Sequence, residues 1–310
     1  MSSRLFWCLF MLLSTLEVAH SQCPDVSSII AHDGTPTGTE QVINGINMYI
    51  ATPSSSGPSN NSTAIVYASD IFGIQLAQNR LLADSFARAG FLTIAPDLFN
   101  GTPAPADMND PTYNSTAFLA RNNPSVIEPI LESAINYART AAGATSVGMT
   151  GYCFGGRYSF RMANASRGVH VDMAFAAHPS MLQDNETAAI GVPVSVAAAE
   201  TDSLLTATKR AQIEDILKNT TRAYQVALYS GTSHGFGVRA NISDPMQKFG
   251  KESAFLQAVR WFETMPTGST TNGSNTTAGT GGGMTADSEV TSIPWMLCLG
   301  LLGLTISHLV

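Results

Sequence analysis

Short apolar runs alternate with helical patterns along most of this chain, and that alternation restricts the fold more than any other feature of the sequence. The runs fall at residues 47–52 (NMYIAT), 63–69 (TAIVYAS), 91–95 (FLTIA), 146–151 (SVGMTG), 171–177 (VDMAFAA), 192–199 (VPVSVAAA) and 224–230 (YQVALYS). Several are continuous rather than alternating, as expected of strands covered on both faces. Helical patterns occupy 75–89, 125–142, 155–166, 204–218 and 246–264. From residue 63 onward strand and helix take turns, which predicts an α/β fold with a mostly parallel sheet and helices on both sides.

In open α/β sheets, ligands bind beyond the carboxyl ends of the strands. Asp70, Asp97, Cys153, His178, Asp202 and His234 all stand at the downstream ends of the apolar runs. Any one of them alone reads as a cap or turn residue. Together they predict one rim where side chains distant in sequence converge.

The sharpest local signal is SVGMTGYCFGG at 146–156. An apolar strand runs into Gly151-Tyr152-Cys153-Phe154-Gly155-Gly156, and a helix begins at once. This is the nucleophile elbow G-x-S-x-G with Cys for Ser. Glycines flank the nucleophile because side chains there would clash with the adjoining strand and helix. The helix N-terminus beyond Cys153 favours negative charge on its sulfur, and the Phe154 N–H is placed to hold an oxyanion. A base and an orienting acid should follow in the order nucleophile, acid, histidine. Asp202 ends the run VPVSVAAA, and His234 follows YQVALYS within Gly231-Thr232-Ser233-His234-Gly235-Phe236. The plainer readings are that Asp202 caps a helix starting at Leu204 and that His234 is a loop residue.

These motifs resemble the dienelactone hydrolase family, cysteine-type α/β hydrolases with a G-x-C-x-G-G elbow, a later Asp and an S/G-H-x-F histidine. The resemblance runs from about Gly38 to Met265 and includes Ser69-Asp70-Ile71-Phe72-Gly73, Pro96-Asp97-Leu98 and Ser233-His234-Gly235-Phe236. It implies an α/β-hydrolase fold, with Cys153 as nucleophile, His234 as base and Asp202 as its orienter. The N–H groups of Ile71 and Phe154 would form the oxyanion hole. Asp70 takes the place of an acidic residue, often Glu, that contacts the resting thiol in the family. Family members acting on dienelactone hold its carboxylate with two arginines. Phe99-Asn100-Gly101 stand where one is expected, and Arg239 lies near the position of the other. His178 reads equally as a pocket residue or a structural histidine.

The ends of the chain read as processing signals. Residues 5–13 (LFWCLFMLL) follow a lone Arg4, and Ala19 and Ser21 suit a cleavage after residue 21. The run falls short of the roughly 20 apolar residues that span a bilayer, so a signal peptide over 1–21 is expected. Residues 22–265 then form the hydrolase-like domain. Residues 266–292 open with PTGSTTNGSNTTAGTGGG, a stalk unable to build a core, and 293–310 are apolar. That order predicts a GPI anchor attached near Gly281 to Gly283, with Asn275 second, and places the protein at the cell surface. A single C-terminal transmembrane helix is the alternative. Glycosylation sequons at Asn60, Asn61, Asn100, Asn114, Asn164, Asn185, Asn219, Asn241, Asn272 and Asn275 suit an exported chain. Of four cysteines, Cys8 and Cys298 lie in the processed ends, which leaves Cys23 and Cys153. A disulfide between them is the default in an oxidising compartment, though the elbow around Cys153 argues against it.

A formal charge of −7 and the lack of a Lys/Arg cluster argue against a nucleic-acid partner. No cofactor is expected: HExxH, CxxC, P-loop and strand-linked GxGxxG motifs are all missing, and His20/Cys23 and His32/Asp33 are too sparse for a metal. The expected activity is hydrolysis of a small-molecule ester or lactone, and the expected membrane contact is the C-terminal anchor alone. The competing readings are a surface protein that keeps the fold without turnover, and another cysteine acyl-transfer enzyme such as a thioesterase.

Overall fold

The computed structural model describes residues 29–55 and 62–265; the expected signal peptide, stalk, anchor and Cys23 lie outside them. The described chain opens with a hairpin, β1 (Thr39–Ile43) and β2 (Ile46–Ala51), joined at Asn44-Gly45. Both turn residues have positive φ, 52° and 79°, as a two-residue hairpin turn demands. There follow β3 (Thr63–Ala68), α1 (Ala77–Arg88), β4 (Leu92–Pro96), α2 (Ser115–Arg121), α3 (Pro124–Thr140), β5 (Ser146–Tyr152) and α4 (Phe154–Met162). The remaining elements are β6 (Met173–Ala177), α5 (Asp184–Ala188), β7 (Val194–Thr201), α6 (Ala207–Lys218), β8 (Tyr224–Ser233), α7 (Phe236–Arg239) and α8 (Pro245–Thr264).

The strands form one sheet of order β1-β2-β4-β3-β5-β6-β7-β8, antiparallel at β1/β2 and β2/β4 and parallel elsewhere. Because side chains alternate along a strand, each central strand feeds two cores. Ala64, Val66 and Ala68 of β3 join one cluster with Ile127 and Leu131 of α3, Phe160 of α4 and Leu217 of α6. Ile65 and Tyr67 join the other, with Phe86 of α1 and Phe255, Trp261 and Phe262 of α8. Burial on both faces is why these runs are continuously apolar, and the expected α/β architecture is the one found.

Two helices differ from expectation at their ends. The pattern over 155–166 stops at Met162, where Ala163 caps the helix and the Asn164 side chain accepts from the Ser166 N–H to make a turn. The pattern over 204–218 becomes helical only at Ala207, because the Thr206 hydroxyl accepts the Lys209 N–H and sets the start there.

β5 lies between β3 and β6 with every residue buried, and it aims Cys153 at the carboxyl rim. Helix α4 then presses against the end of β3: the Gly155 N–H donates to the Ser69 carbonyl at 3.2 Å. An added Cβ on Gly155 would sit against the Ala68 carbonyl and 2.6 Å from the Ser69 oxygen. Since those atoms are backbone, they cannot swing aside. Gly155→Ala is therefore expected to cost about 1–3 kcal/mol or more, as overpacking of a tight core does. Urea unfolding measures it, and a variant as stable as wild type would show that the approach is loose.

Candidate active site

Cys153 sits between β5 and α4 at φ 54°, ψ −113°. Such a conformation costs a non-glycine residue roughly 1–3 kcal/mol and persists only where neighbours enforce it. Here the Cys153 N–H donates to the Ala177 carbonyl at 3.1 Å, and the Cys153 carbonyl accepts from Gly156 and Ser180, both at 3.0 Å. The thiol is free and buried, so Cys153 is not in a disulfide.

The loop after β8 brings His234 to that sulfur, with Nε2 3.0 Å from Sγ. On the far side of the ring, Nδ1 lies 2.9 and 3.0 Å from the two oxygens of Asp202. Asp202 sits just past β7. Its Oδ1 also accepts the N–H groups of Leu204 at 2.8 Å and Leu205 at 2.9 Å. It is thus held by a turn rather than serving as the helix cap, a task that falls to Thr206. Burial would raise the Asp202 pKa, but His234 and those two amides outweigh it and hold the carboxyl below its ordinary range. Burial would likewise lower His234, yet Asp202 and Cys153 push it up to about 9. That set of partners suits an imidazolium held between the Asp202 carboxylate and the Cys153 sulfur.

Ser180, three residues beyond the end of β6 in the order His178-Pro179-Ser180, places its Oγ 3.6 Å from the Cys153 sulfur. No motif in the sequence marked it; its only signal is its place on the rim after β6. His178 is fully buried at φ 38°, and its Nε2 accepts the Gly237 N–H at 3.2 Å. Its ring packs edge-on against His234, with centroids 5.0 Å apart. Burial above all, with the neighbouring His234, keeps it neutral.

The N–H of Phe154 is the first of α4, and that of Ile71 follows β3; neither has a hydrogen-bond acceptor among the described residues. The Asp70 side chain shapes the second of these turns. Its Oδ1 accepts from Phe72 N at 3.1 Å and from Asn79 Nδ2 at 2.8 Å, while Oδ2 accepts from Arg239 Nε at 3.1 Å. None of these bonds is to the sulfur, whose own hydrogen-bond partners are His234 and Ser180. The Arg239 guanidinium stands 4.6 Å over the Phe72 ring. Asp97 turns inward instead, accepting from Gln75 at 2.9 Å and Gly101 at 2.7 Å. Phe72, Phe99, Phe154, Leu182 and Leu205 share an apolar cluster with Cys153.

Among the sequon residues, Asn100, Asn114, Asn185, Asn219 and Asn241 are exposed and Asn164 is half-buried. Asn60, Asn61, Asn272 and Asn275 lie outside the described residues.

The raised pKa of His234 makes stability depend on pH. A proton bound more tightly in the folded state stabilises fully below the ordinary value of 6.5 and is lost as the pH climbs through about 9. The urea midpoint of wild type should therefore exceed that of His234→Gln by more at pH ~6 than at pH ~9.5. A gap that stays constant or widens would mean that His234 is not held protonated.

A model of the dienelactone hydrolase family matches residues 46–266. The hydrolase pyvD of Aspergillus violaceofuscus is 34% identical over 242 residues, covering 78% of this chain and 95% of that protein. The carboxymethylenebutenolidase homolog of Mus musculus is 26% identical over 243 residues, covering 77% of this chain and 95% of its own. In structure, the dienelactone hydrolase of Anabaena variabilis superimposes with a TM-score of 0.51 at 15% identity, over 74% of this chain and 97% of that one. With its eight-stranded sheet and a family match across nearly all of the described fold, this chain belongs to the dienelactone hydrolase family and has the α/β-hydrolase fold.

Proposed function

We propose that this protein hydrolyses a small ester or lactone through Cys153, His234 and Asp202. The observation that carries the reading is the unbroken line from Asp202 through His234 to the Cys153 sulfur, with contacts of 2.9 Å and 3.0 Å. The Cys153 thiolate attacks the carbonyl carbon, and the charge that develops on oxygen is met by the N–H groups of Phe154 and Ile71. Collapse breaks the bond to the leaving oxygen, which takes the Nε2 proton of His234. A thioester remains on Cys153. His234, now neutral at Nε2, removes a proton from water as it attacks the thioester; the acid leaves and the thiolate is restored. Asp202 keeps Nδ1 protonated throughout and fixes the ring. Ser180 Oγ lies 3.6 Å from the sulfur and can donate to the resting thiolate.

The proposal extends to where the protein works. The apolar N-terminal run, the sequons and the polar stalk before an apolar tail support export and a GPI tether at the cell surface. The exposure of five sequon asparagines suits glycan attachment there.

The test is p-nitrophenyl acetate turnover by the purified protein, followed while a thiol alkylator titrates Cys153. Activity should fall in step with alkylation and vanish in Cys153→Ala. Asp202→Asn should keep the fold yet lower kcat by roughly 10⁴-fold, as loss of the tautomer-fixing acid does elsewhere. Turnover that survives Cys153→Ala would overturn the mechanism. A reactive thiol without turnover on aryl ester, lactone or thioester would favour a protein that keeps the fold without the activity.

A further inference from the structure

The two edges of the sheet differ. β1 carries Glu40, which pairs with Arg80 at 2.7 Å and accepts from Asn47 at 2.6 Å, and charge on an edge strand discourages further pairing. β8 forms the other edge, and Tyr224–Ser233 holds no charged residue and no proline. Its outer pairing groups are free. The Val194 N–H donates to the Ala223 carbonyl at 3.1 Å, and in a parallel ladder this turns the N–H and C=O of Tyr224, Val226 and Leu228 away from β7. Among the described residues no strand lies beyond β8 to receive them. The register with β7 shifts after Tyr229, so the regular part of this edge is 224–229.

The side chains along it are self-complementary. Tyr224 and Leu228 are large, yet 38% and 50% exposed. Val226, between them, packs on the core that includes Ile213 and Leu217 of α6, so alternation puts all three on the α6 face. On the other face α8 brings Met246 against Gly231, and Met246 and Phe249 are 48% and 60% exposed. A two-fold axis perpendicular to the sheet at Val226 sets each Tyr224 opposite the Leu228 of the other copy. It also aligns the free N–H and C=O groups of those residues for antiparallel bonds. Charge follows the same register. Arg222 is exposed just before β8 and has no ion pair among the described residues. It falls opposite the other copy's Ser230, whose hydroxyl donates at 3.0 Å to Glu200, an exposed carboxylate that also accepts the Gly231 N–H at 2.7 Å. The sequons nearest the edge, at Asn219 and Asn241, lie outside the strand, and the Asn219 amide is turned back onto α6, donating to the Asp215 carbonyl at 2.8 Å.

We propose that β8 is the interface for a second copy of this chain, with the two β8 strands antiparallel about Val226 and the two sheets joined into one. Light scattering of the purified protein over a concentration series should show two chains per particle. Leu228→Lys should give single chains with an unchanged circular dichroism spectrum, and Tyr224→Lys does the same duty if that variant fails to fold. Val226→Cys should oxidise to a covalent dimer, because opposed residues in such a pair have Cα atoms about 5.5 Å apart. Val42→Cys, on the exposed edge β1, should not. Arg222→Glu should raise the dimer Kd about tenfold at low salt, since each dimer holds the pair twice, and adding Glu200→Arg should restore it. The proposal is overturned if wild type stays a single chain throughout the series, or if its dimer survives both lysine variants. It also falls if Val226→Cys cross-links no faster than Val42→Cys, or if Glu200→Arg fails to rescue Arg222→Glu. None of these readouts involves Cys153 or turnover, so the hydrolase reading and this one stand or fall separately.

Discussion

The site depends on how closely one helix start approaches one strand end. The hydrogen bond from Gly155 N–H to the Ser69 carbonyl draws the elbow onto the end of β3. Since Asp70 and Ile71 follow Ser69 directly, the same contact ties the start of the loop that carries the Ile71 amide to the helix start that carries Phe154. The approach demands a residue without a Cβ at 155 and an unfavourable backbone at Cys153. That strain is tolerable because β5 is wholly buried and the backbone of Cys153 is tied to Ala177, Ser180 and Gly156. Among the described residues, five non-glycines have positive φ, and Cys153, His178 and Met181 are three of them. Strain is thus gathered at the rim where reactive groups meet.

Electrostatics at the rim follow from one short segment. Residues 234–239 supply both cations, His234 and Arg239, and each meets a carboxylate from a different strand end: Asp202 after β7 and Asp70 after β3. Both carboxylates are out of water, which by itself would neutralise them. Directed donors reverse this for Asp202, while at Asp70 the donors Asn79, Arg239 and Phe72 oppose an effect of burial that still leaves its pKa raised. The two pairs then do different things. The first leaves Nε2 of its cation facing sulfur; the second leaves its cation stacked on Phe72 with its charge offset. His178 supports the arrangement, since its Nε2 accepts the Gly237 N–H in the middle of the segment.

Much of this could be read along the chain. All seven apolar runs correspond to strands; β3, β5 and β6 are buried at every position because they are covered on both faces, whereas β8, at the sheet edge, is mostly exposed. β1 escaped that reading: Thr39–Ile43 is a mostly exposed edge strand, and only the Asn44-Gly45 turn marks it. The short helices α2, α5 and α7 escaped for a related reason, being too brief for a 3.6-residue period to show. The start of α6 was displaced because Thr206, three residues before Lys209, outcompetes the earlier candidate. At the site, Cys153, Asp202 and His234 were visible as strand-end residues in the right order. Ser180 was not, since a serine in a loop carries no periodic or motif signal.

The sequence by itself determined the class of fold, the identity of the elbow and the order of the reactive residues along the chain. These are local properties, set by side-chain period and by where glycine is tolerated. Only the tertiary structure decided which of those residues face one another. Asp70 and Arg239 are 169 positions apart, and nothing in their neighbourhoods announces that each takes up the other's charge. Pairing at that distance is set by how β3 and the loop after β8 are brought together across the sheet, and the charge left for a substrate depends on that packing.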